Sequence, residues 1–299
     1  MIKQPPYLKK GDKIAIVCPA KKLPKPIDYA IALLQSWGLE VVIGKSVYAE
    51  SHQFAGTDEL RAADIQQFLD DTEIKAIIAG RGGYGTIRII DELDFTVFEQ
   101  SPKWIIGFSD ITVLLSHLFA HYETQSMHAQ MPYTFDEATP ESLLSLRRAI
   151  FGEQQTYNYE SLFNNRPGEG SGTLIGGNLT LLCFLEGSTS EMDFDGKILF
   201  IEDVGEHEYS IDRMLRMLNR AGKLAKLKGL IVGAFNEISE EKIPFGQSAD
   251  EVIWEIVKDY DYPVCFNFPS GHIDNNLTMI LGATVGLKVE TNKVEFRYI

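Results

Sequence analysis

Short apolar runs alternate along the first half of the chain with segments in which apolar residues recur at helical spacing. Residues 13–20, 39–44 and 74–80 have the continuous β-rich apolar character of strands that are buried on both faces. Helical spacing follows the first two runs at residues 27–37 and 58–69. This alternation predicts an α/β fold with a parallel sheet and right-handed crossovers.

The second half of the chain begins after a polar stretch that is rich in Gly, Asn and Pro. We interpret residues 157–171 as a linker between two domains at residues 1–156 and 172–299, and we expect no central strand at residues 164–170. Residues 124–132 are predicted to form a short strand that leaves the first sheet. Two β-rich runs around Thr291 predict a terminal hairpin.

Composition narrows the choice of partner. The chain has 299 residues, of which 44% are hydrophobic and 23% charged, and its formal charge is 28 − 42 = −14. This charge disfavours nucleic acid and anionic membranes, so a small molecule is the expected partner. We find no signal peptide or membrane-length apolar run and expect a cytoplasmic protein. The widely spaced Cys18, Cys183 and Cys265 are predicted to be reduced core thiols rather than a disulfide or metal site.

Ser109 lies where an apolar strand at residues 104–106 gives way to helical spacing. On such a sharp turn a serine hydroxyl points into solvent, and the first N–H groups of the helix face any oxyanion formed beside it. A Ser or Asp at this place is also typical of a helix N-cap, a role open to Ser109 or Asp110. The G-x-S-x-G pattern is not met, because Ile111 occupies the second Gly position. A nucleophile here would need a base from elsewhere.

A Gly-rich turn, residues 81–86, directly follows the third strand, and we expect it to open a helix reaching Ile90. Glycines at the end of a strand leave backbone N–H groups free to donate to a ligand. The turn does not match a dinucleotide-binding loop, so an oxyanion-binding turn is favoured. Since loops at the carboxyl ends of parallel strands share one crevice, Gly83 and Ser109 are predicted to meet there.

Glu202 ends another apolar strand, at what we expect to be a partly buried rim. The alternative is a structural carboxylate, as is common at strand ends. Its neighbours Asp203, Glu206 and Glu208 are candidates for solvated loop acids. If Glu202 faces a cleft, it can orient a histidine in the way that Asp does in a Ser-His-Asp triad.

His272 lies in a Pro-, Gly- and Asn-rich loop after a strand, from which a side chain can reach into a cleft. A neutral imidazole is the usual base for a serine, although many loop histidines are only surface groups. Asn276 is expected to fix the loop through a backbone hydrogen bond. The other histidines lack this setting: His52, His117, His121, His128 and His207. The chain order Ser109, Glu202, His272 therefore predicts a triad, whereas no metal-binding pattern is present.

These motifs together resemble the LD-carboxypeptidases, a family of serine peptidases, over nearly the whole chain. The motifs that carry the resemblance are L-K-K-G-D-K-I-A-I-V at 8–17, F-A-G-T-D at 54–58, R-G-G-Y-G at 81–85, I-G-F-S-D-I-T at 106–112, G-G-N-L at 176–179, F-I-E-D-V-G-E at 200–206, I-D-R-M-L at 211–215 and G-H at 271–272. Two departures concern residues 128–131, His-Ala-Gln-Met instead of His-Gly-Pro-Met, and residues 277–282, which lack a Pro.

The resemblance implies a Rossmann-like amino-terminal domain, a smaller β-rich α/β carboxyl-terminal domain and an active site at their interface. It implies a Ser-Glu-His triad on Ser109, Glu202 and His272, with oxyanion donors at the backbone of Gly83, for which Gly82 is the alternative, and of Asp110. It also implies no metal, no cofactor and frequent homodimers. Because the triad would span the domain boundary, we expect domain closure to gate activity.

The function implied by the resemblance is removal of the terminal D-alanine from murein tetrapeptides. Arg81, or backbone donors near Gly82, are candidates for binding the free carboxylate of this peptide. Two alternatives stay open. One is a microcin C immunity-type amidase that cleaves aminoacyl-nucleotide conjugates, and the other is a non-catalytic two-domain protein that closes around a ligand.

Overall fold

Two sheets organise the chain in the computed structural model, which describes residues 2–239 and 243–299. The strands are β1 Lys13–Val17, β2 Glu40–Ile43, β3 Ile74–Ala79, β4 Trp104–Gly107, β5 Ser126–His128, β6 Thr156–Glu160, β7 Gly168–Asn178, β8 Ile198–Val204, β9 Gly229–Asn236, β10 Val264–Cys265, β11 Met279–Leu281, β12 Thr284–Val289 and β13 Lys293–Tyr298. The α-helices are α1 Asp28–Ser36, α2 Asp58–Asp70, α3 Thr96–Gln100, α4 Thr112–Tyr122, α5 Pro140–Phe151, α6 Leu179–Phe184, α7 Glu208–Arg220 and α8 Ala249–Val257.

The first sheet has the order β11-β5-β4-β3-β1-β2, and all its pairs are parallel except β11 with β5. The prediction of a parallel α/β sheet is therefore confirmed. The prediction that residues 124–132 leave the sheet is wrong, because β5 lies between β4 and β11. Strand β11, which pairs with the outer edge of β5, comes from the far end of the chain, so a local sequence pattern could not predict this pairing. The carboxyl ends of β3 and β4 lie side by side at one edge.

The second sheet has the order β10-β9-β8-β7-β12-β13-β6. Its β7 to β10 part is parallel, and its β7-β12-β13-β6 part is antiparallel. The predicted terminal hairpin is confirmed as β12 and β13. Cys18 and Cys265 are buried free thiols, whereas Cys183 is partly exposed. No helix in the described part of the chain is long and apolar enough to cross a membrane.

The segment predicted as a linker, residues 157–171, contains most of β6 and the start of β7. Residues 168–170 pair with β12 inside the second sheet, so the expectation that they form no central strand is wrong. The glycines that suggested a linker are needed instead because the strand packs closely against the backbone of Lys228. A Cβ on Gly170 would lie 2.1 Å from the carbonyl oxygen of Lys228, so only glycine lets the strand pass there. The domain boundaries themselves stay a prediction.

The two halves share both a sheet and a core. One apolar cluster contains Ile111 and Leu114 from the first half together with Leu174 and Phe200 from the second. In addition, β11 from the carboxyl-terminal half completes the first sheet. Closure of the two halves as rigid bodies, which the sequence led us to expect, would require this sheet and core to open.

Candidate active site

Ser109 lies on a strained turn between β4 and α4. Its φ is +63°, in the left-handed region that non-glycine residues rarely adopt, at a cost of about 1–3 kcal/mol. A short 3₁₀ turn, Ser109–Ile111, leads into the helix, and no side chain caps either segment. The N-cap interpretation of Ser109 and Asp110 is therefore wrong, and the predicted strand-to-helix turn is confirmed. Such strain is typical of a serine nucleophile on a sharp turn.

The Gly-rich turn packs directly against the Ser109 turn. A Cβ on Gly82 would lie 3.2 Å from the Cβ of Ser109 and 3.3 Å from the carbonyl oxygen of Phe108. Gly83 has a φ of +112°, and its N–H has no hydrogen-bond acceptor within the described residues. The turn does not open an α-helix to Ile90 as expected. It continues instead, after the positive-φ Gly83 and Gly85, as two 3₁₀ turns at Thr86–Arg88 and Ile90–Glu92.

The carboxylate of Asp110 fastens these two turns together. It accepts hydrogen bonds of 2.8 Å from the Thr86 N–H and 2.6 Å from the Thr86 hydroxyl. The Asp110 side chain is 1% exposed, and burial raises the pKa of its carboxyl. The backbone of residue 110 and the Gly-rich turn are thereby held at a constant separation.

Two arginines support the Gly-rich turn. The buried Arg61 donates to the carbonyl oxygens of Pro19 and, at 3.0 Å, of Gly85. Sequence patterns gave no signal for this role, since an arginine in the first turns of a helix is usually exposed. Arg81, the candidate for carboxylate binding, donates from Nη1 to the Lys22 carbonyl at 2.7 Å and lies over the ring of Tyr133. At least part of its guanidinium is thus structural.

Glu202 and His272 form a buried pair. Glu202 is 0% exposed near the end of β8, and its Oε2 lies 2.6 Å from Nδ1 of His272. Gly271 allows this approach, because a Cβ there would lie 2.9 Å from the Cβ of Glu202. The Oδ1 of Asn276 accepts from the Gly271 N–H at 3.0 Å, which confirms the predicted fixing of the loop.

The pKa values of Glu202 and His272 are shifted in opposite directions. Burial by itself raises the pKa of the Glu202 carboxyl, but the charge and hydrogen bond of His272, with smaller effects of His128 and Asn178, hold the pKa below its usual value. Burial by itself lowers the pKa of His272, but the charge and hydrogen bond of Glu202, with smaller effects of Asp203 and Glu237, raise it above its usual value. Each partner therefore stabilises the charged form of the other.

Asp203 is buried, so its assignment as a candidate solvated loop acid is wrong. It is 2% exposed and accepts from Asn178 Nδ2 at 2.8 Å and from the Thr180 N–H at 2.9 Å. Burial and the adjacent Glu202 raise the pKa of its carboxyl to about 6. Asp203 is buried because strand β7 and helix α6 cover it, and a local pattern does not reveal this. Glu206 and Glu208 are partly exposed.

The Ser109 turn and the His272 loop meet at the junction of the two sheets. The ring of Phe108 packs edge to face on His272, with centroids 4.8 Å apart. From β7, the Asn178 N–H donates to the Thr112 hydroxyl at 3.1 Å, and a Cβ on Gly177 would clash with Thr112. The hydroxyl of Ser109 makes no hydrogen bond to another described residue. Nowhere in the described chain do three His, Cys, Asp or Glu residues form a group suited to a metal ion.

Comparisons with known proteins agree with this architecture. The model of the LD-carboxypeptidase N-terminal domain matches residues 14–129, and that of the C-terminal domain matches residues 171–287. The chain is 33% identical to a probable murein peptide carboxypeptidase of Bacillus subtilis, over 95% of this chain and 91% of that protein.

Solved structures show the same similarity. The muramoyltetrapeptide carboxypeptidase of Oxalobacter formigenes superposes with a TM-score of 0.86 and 30% identity, covering 96% of this chain and 98% of that one. The microcin C7 self-immunity protein MccF, in complex with aspartyl sulfamoyl adenosine, gives a TM-score of 0.87 at 23% identity, over 97% of each chain. At that identity, the second match shows a shared fold alone.

Proposed function

Because the chain belongs to the LD-carboxypeptidase family of serine peptidases, we propose that it removes the terminal D-alanine from murein tetrapeptides during recycling of cell-wall peptides. The single observation that carries the chemistry is the buried Glu202–His272 pair, 2.6 Å apart, beside the strained turn of Ser109. Relatives at 30–33% identity whose names include murein peptide or muramoyltetrapeptide support the substrate class.

In the proposed reaction, His272 takes the proton of the Ser109 hydroxyl, and the serine oxygen attacks the carbonyl carbon of the penultimate residue. Glu202 holds the imidazole in the required tautomer and stabilises the imidazolium. His272 then gives the proton to the nitrogen of the departing D-alanine. A water, deprotonated by His272, hydrolyses the acyl-enzyme and restores Ser109.

The oxyanion of the tetrahedral intermediate would accept hydrogen bonds from the N–H groups of Gly83 and Asp110. One such donor typically contributes ~10² to 10³ in turnover. The clamp between Asp110 and Thr86 favours this role, because it holds both turns in a constant geometry. The guanidinium donors of Arg81 not bonded to Lys22, and backbone donors near Gly82, would bind the terminal carboxylate of the peptide.

The test is to assay the wild-type protein and Ser109→Ala on three compounds: a murein tetrapeptide, the same peptide amidated at its carboxyl terminus, and aminoacyl-sulfamoyl adenosine. We expect release of D-alanine from the free acid only, and a loss of turnover of roughly 10⁴-fold or more in the variant. Unchanged turnover by Ser109→Ala would contradict the proposed nucleophile.

The same experiment separates the alternatives. Preferential cleavage of the sulfamoyl adenosine would favour the immunity-type amidase, for which the shared fold with MccF is the supporting observation. Reaction with a fluorophosphonate distinguishes an enzyme from a non-catalytic binder, because only an activated serine forms an adduct that mass spectrometry places on Ser109. The cytoplasmic location and the homodimer stay predictions, and analytical ultracentrifugation checks the second.

A further inference from the structure

His128 is a fully buried histidine that the proposed reaction does not use. It ends β5, where it pairs with Gly107 on one side and Met279 on the other, and its exposure is 0%. Neither ring nitrogen has a hydrogen-bond partner among the described residues. A buried donor without a partner typically costs about 1–3 kcal/mol, so such a group in a core requires an explanation.

Glu202 has the complementary deficit. Its Oε2 binds His272, but its Oε1 is buried and no described residue bonds to it with good geometry. The amide of Asn178 also acts on the carboxyl and lowers its pKa, but that amide donates to Asp203 at 2.8 Å. An ionised carboxylate accepts several hydrogen bonds, and a buried one needs them. His128 can supply one, because burial lowers its pKa to about 4 and the ring is then neutral at pH 7, with one N–H to donate.

A shared aromatic neighbour links His128 to the pair. The ring of Phe108 contacts both imidazoles, with its centroid 5.5 Å from that of His128 and 4.8 Å from that of His272. The ring of Phe200 meets His128 edge to face at 4.9 Å. Phe200 and Glu202 are two residues apart on β8, whose register with β9 shifts between Ile201 and Asp203. The titratable groups that act on His128 are Glu202, which raises its pKa, and His272, which lowers it.

We propose that the imidazole N–H of His128 donates to Oε1 of Glu202 across one bound water, and that His128 is thereby a positioning residue for the Glu202–His272 pair. This inference rests on the triad of the proposed function. With both oxygens bonded, the carboxylate keeps a single orientation toward His272. Its negative charge is also stabilised, so it attracts the proton of His272 less strongly than an unbonded carboxylate would.

The kinetic test compares His128→Leu with His128→Gln and His128→Asn. We expect kcat of the leucine variant to fall roughly 10- to 100-fold with little change in KM, since a hydrogen bond to a charged group is lost. The acid limb of its pH profile for kcat/KM should move to higher pH, because a less stabilised carboxylate raises the pKa of His272. One of the two amide variants should restore kcat and the acid limb, since their N–H groups mimic the two ring nitrogens.

His117→Leu is the matched control. His117 is also a buried histidine, with a pKa lowered by burial to about 4, but its Nδ1 contacts Ser190 at 2.9 Å. This variant should keep the wild-type kcat and acid limb. A stable His128→Leu with wild-type kcat and an unmoved acid limb would overturn the proposal. So would a slow His128→Leu that neither amide variant restores, because His128 would then only fill space.

A second measurement does not require the leucine variant to fold or the substrate to be the one proposed. In protein labelled with ¹⁵N-histidine, the ring N–H proton of His128 should give a slowly exchanging NMR signal. Glu202→Gln should shift this signal, because the charge of the acceptor is lost. A signal that does not respond would overturn the contact, whereas inactivity toward murein peptides would contradict only the proposed function.

Discussion

The turns around Ser109 and the loop around His272 meet at one site but are held in place by different interactions. On the serine side, backbone conformation dominates: Ser109 and Gly83 have positive φ, and Gly82 has no side chain to separate the turns. Even the buried Asp110 acts there by bonding to the Thr86 backbone and hydroxyl. This side is therefore sensitive to added volume and to changes of backbone geometry.

On the histidine side, buried charge dominates. Glu202 and Asp203 are both almost fully buried, and the pKa values of Glu202 and His272 shift in opposite directions because each stabilises the other. This side is therefore sensitive to loss of charge, and its failures should appear in the pH dependence of the reaction. Substitutions on the two sides should therefore lower activity in distinguishable ways: by misplacing Ser109 or by changing the pKa of His272. Three variants test this difference.

Glu202→Gln should have the largest effect. We expect kcat to fall ~10³- to 10⁴-fold, because the amide favours the wrong tautomer of His272. In the wild type the carboxylate raises the pKa of His272, so kcat/KM should rise with pH through a value above 6.5. Without the carboxylate that pKa falls, and the acid limb should move to lower pH. Glu99→Gln, an exposed acid paired with Lys3, is the control. An acid limb that stays in place would contradict the conclusion that charge dominates the histidine side.

Gly82→Ala should have an intermediate effect. The new methyl group would press on Ser109 and on the backbone of Phe108, at 3.2 and 3.3 Å, and displace the nucleophile. We expect kcat to fall roughly 10²-fold, as for a small misplacement of reacting groups, with no shift of the acid limb. Gly286→Ala is the matched control, because its methyl group meets the Ile299 side chain at 3.3 Å away from the site. If the acid limb moved with kcat, the two sides would not be separable.

Thr86→Val should have the smallest effect. It removes the 2.6 Å hydrogen bond from the hydroxyl to Asp110 but keeps the bond from the backbone N–H. We expect a several-fold lower kcat and a loss of about 1–2 kcal/mol in the free energy of unfolding, measured by chemical denaturation. Thr96 makes the same two bonds to Asp94 on the exposed surface, so Thr96→Val should leave kcat unchanged. Equal kcat values for the two variants would show that the Asp110 clamp does not act on the reaction.

The sequence alone was enough to predict the parallel strands of the first sheet and the turns that follow them. Apolar runs predicted these strands, and Ser109, Glu202 and His272 became candidates because each lies near the end of an apolar strand or in the loop after one. These signals are local: a buried strand needs apolar residues, and a ligand-facing turn needs glycine or a small polar residue. The resemblance to a known family added the roles that we propose for them.

Which polar groups are buried, and what they contact, became visible only in the folded structure. The insertion of β5 between β4 and β11, the burial of Asp203, the support of the turn by Arg61 and the position of His128 all depend on segments far apart in the chain. A local pattern cannot show them, because burial of a side chain depends on what packs against it from elsewhere. The histidine side of the site was therefore the less predictable, since its pKa shifts depend on that burial. The serine side was more predictable, because glycine adopts positive φ readily and a Gly-rich turn is visible in the sequence.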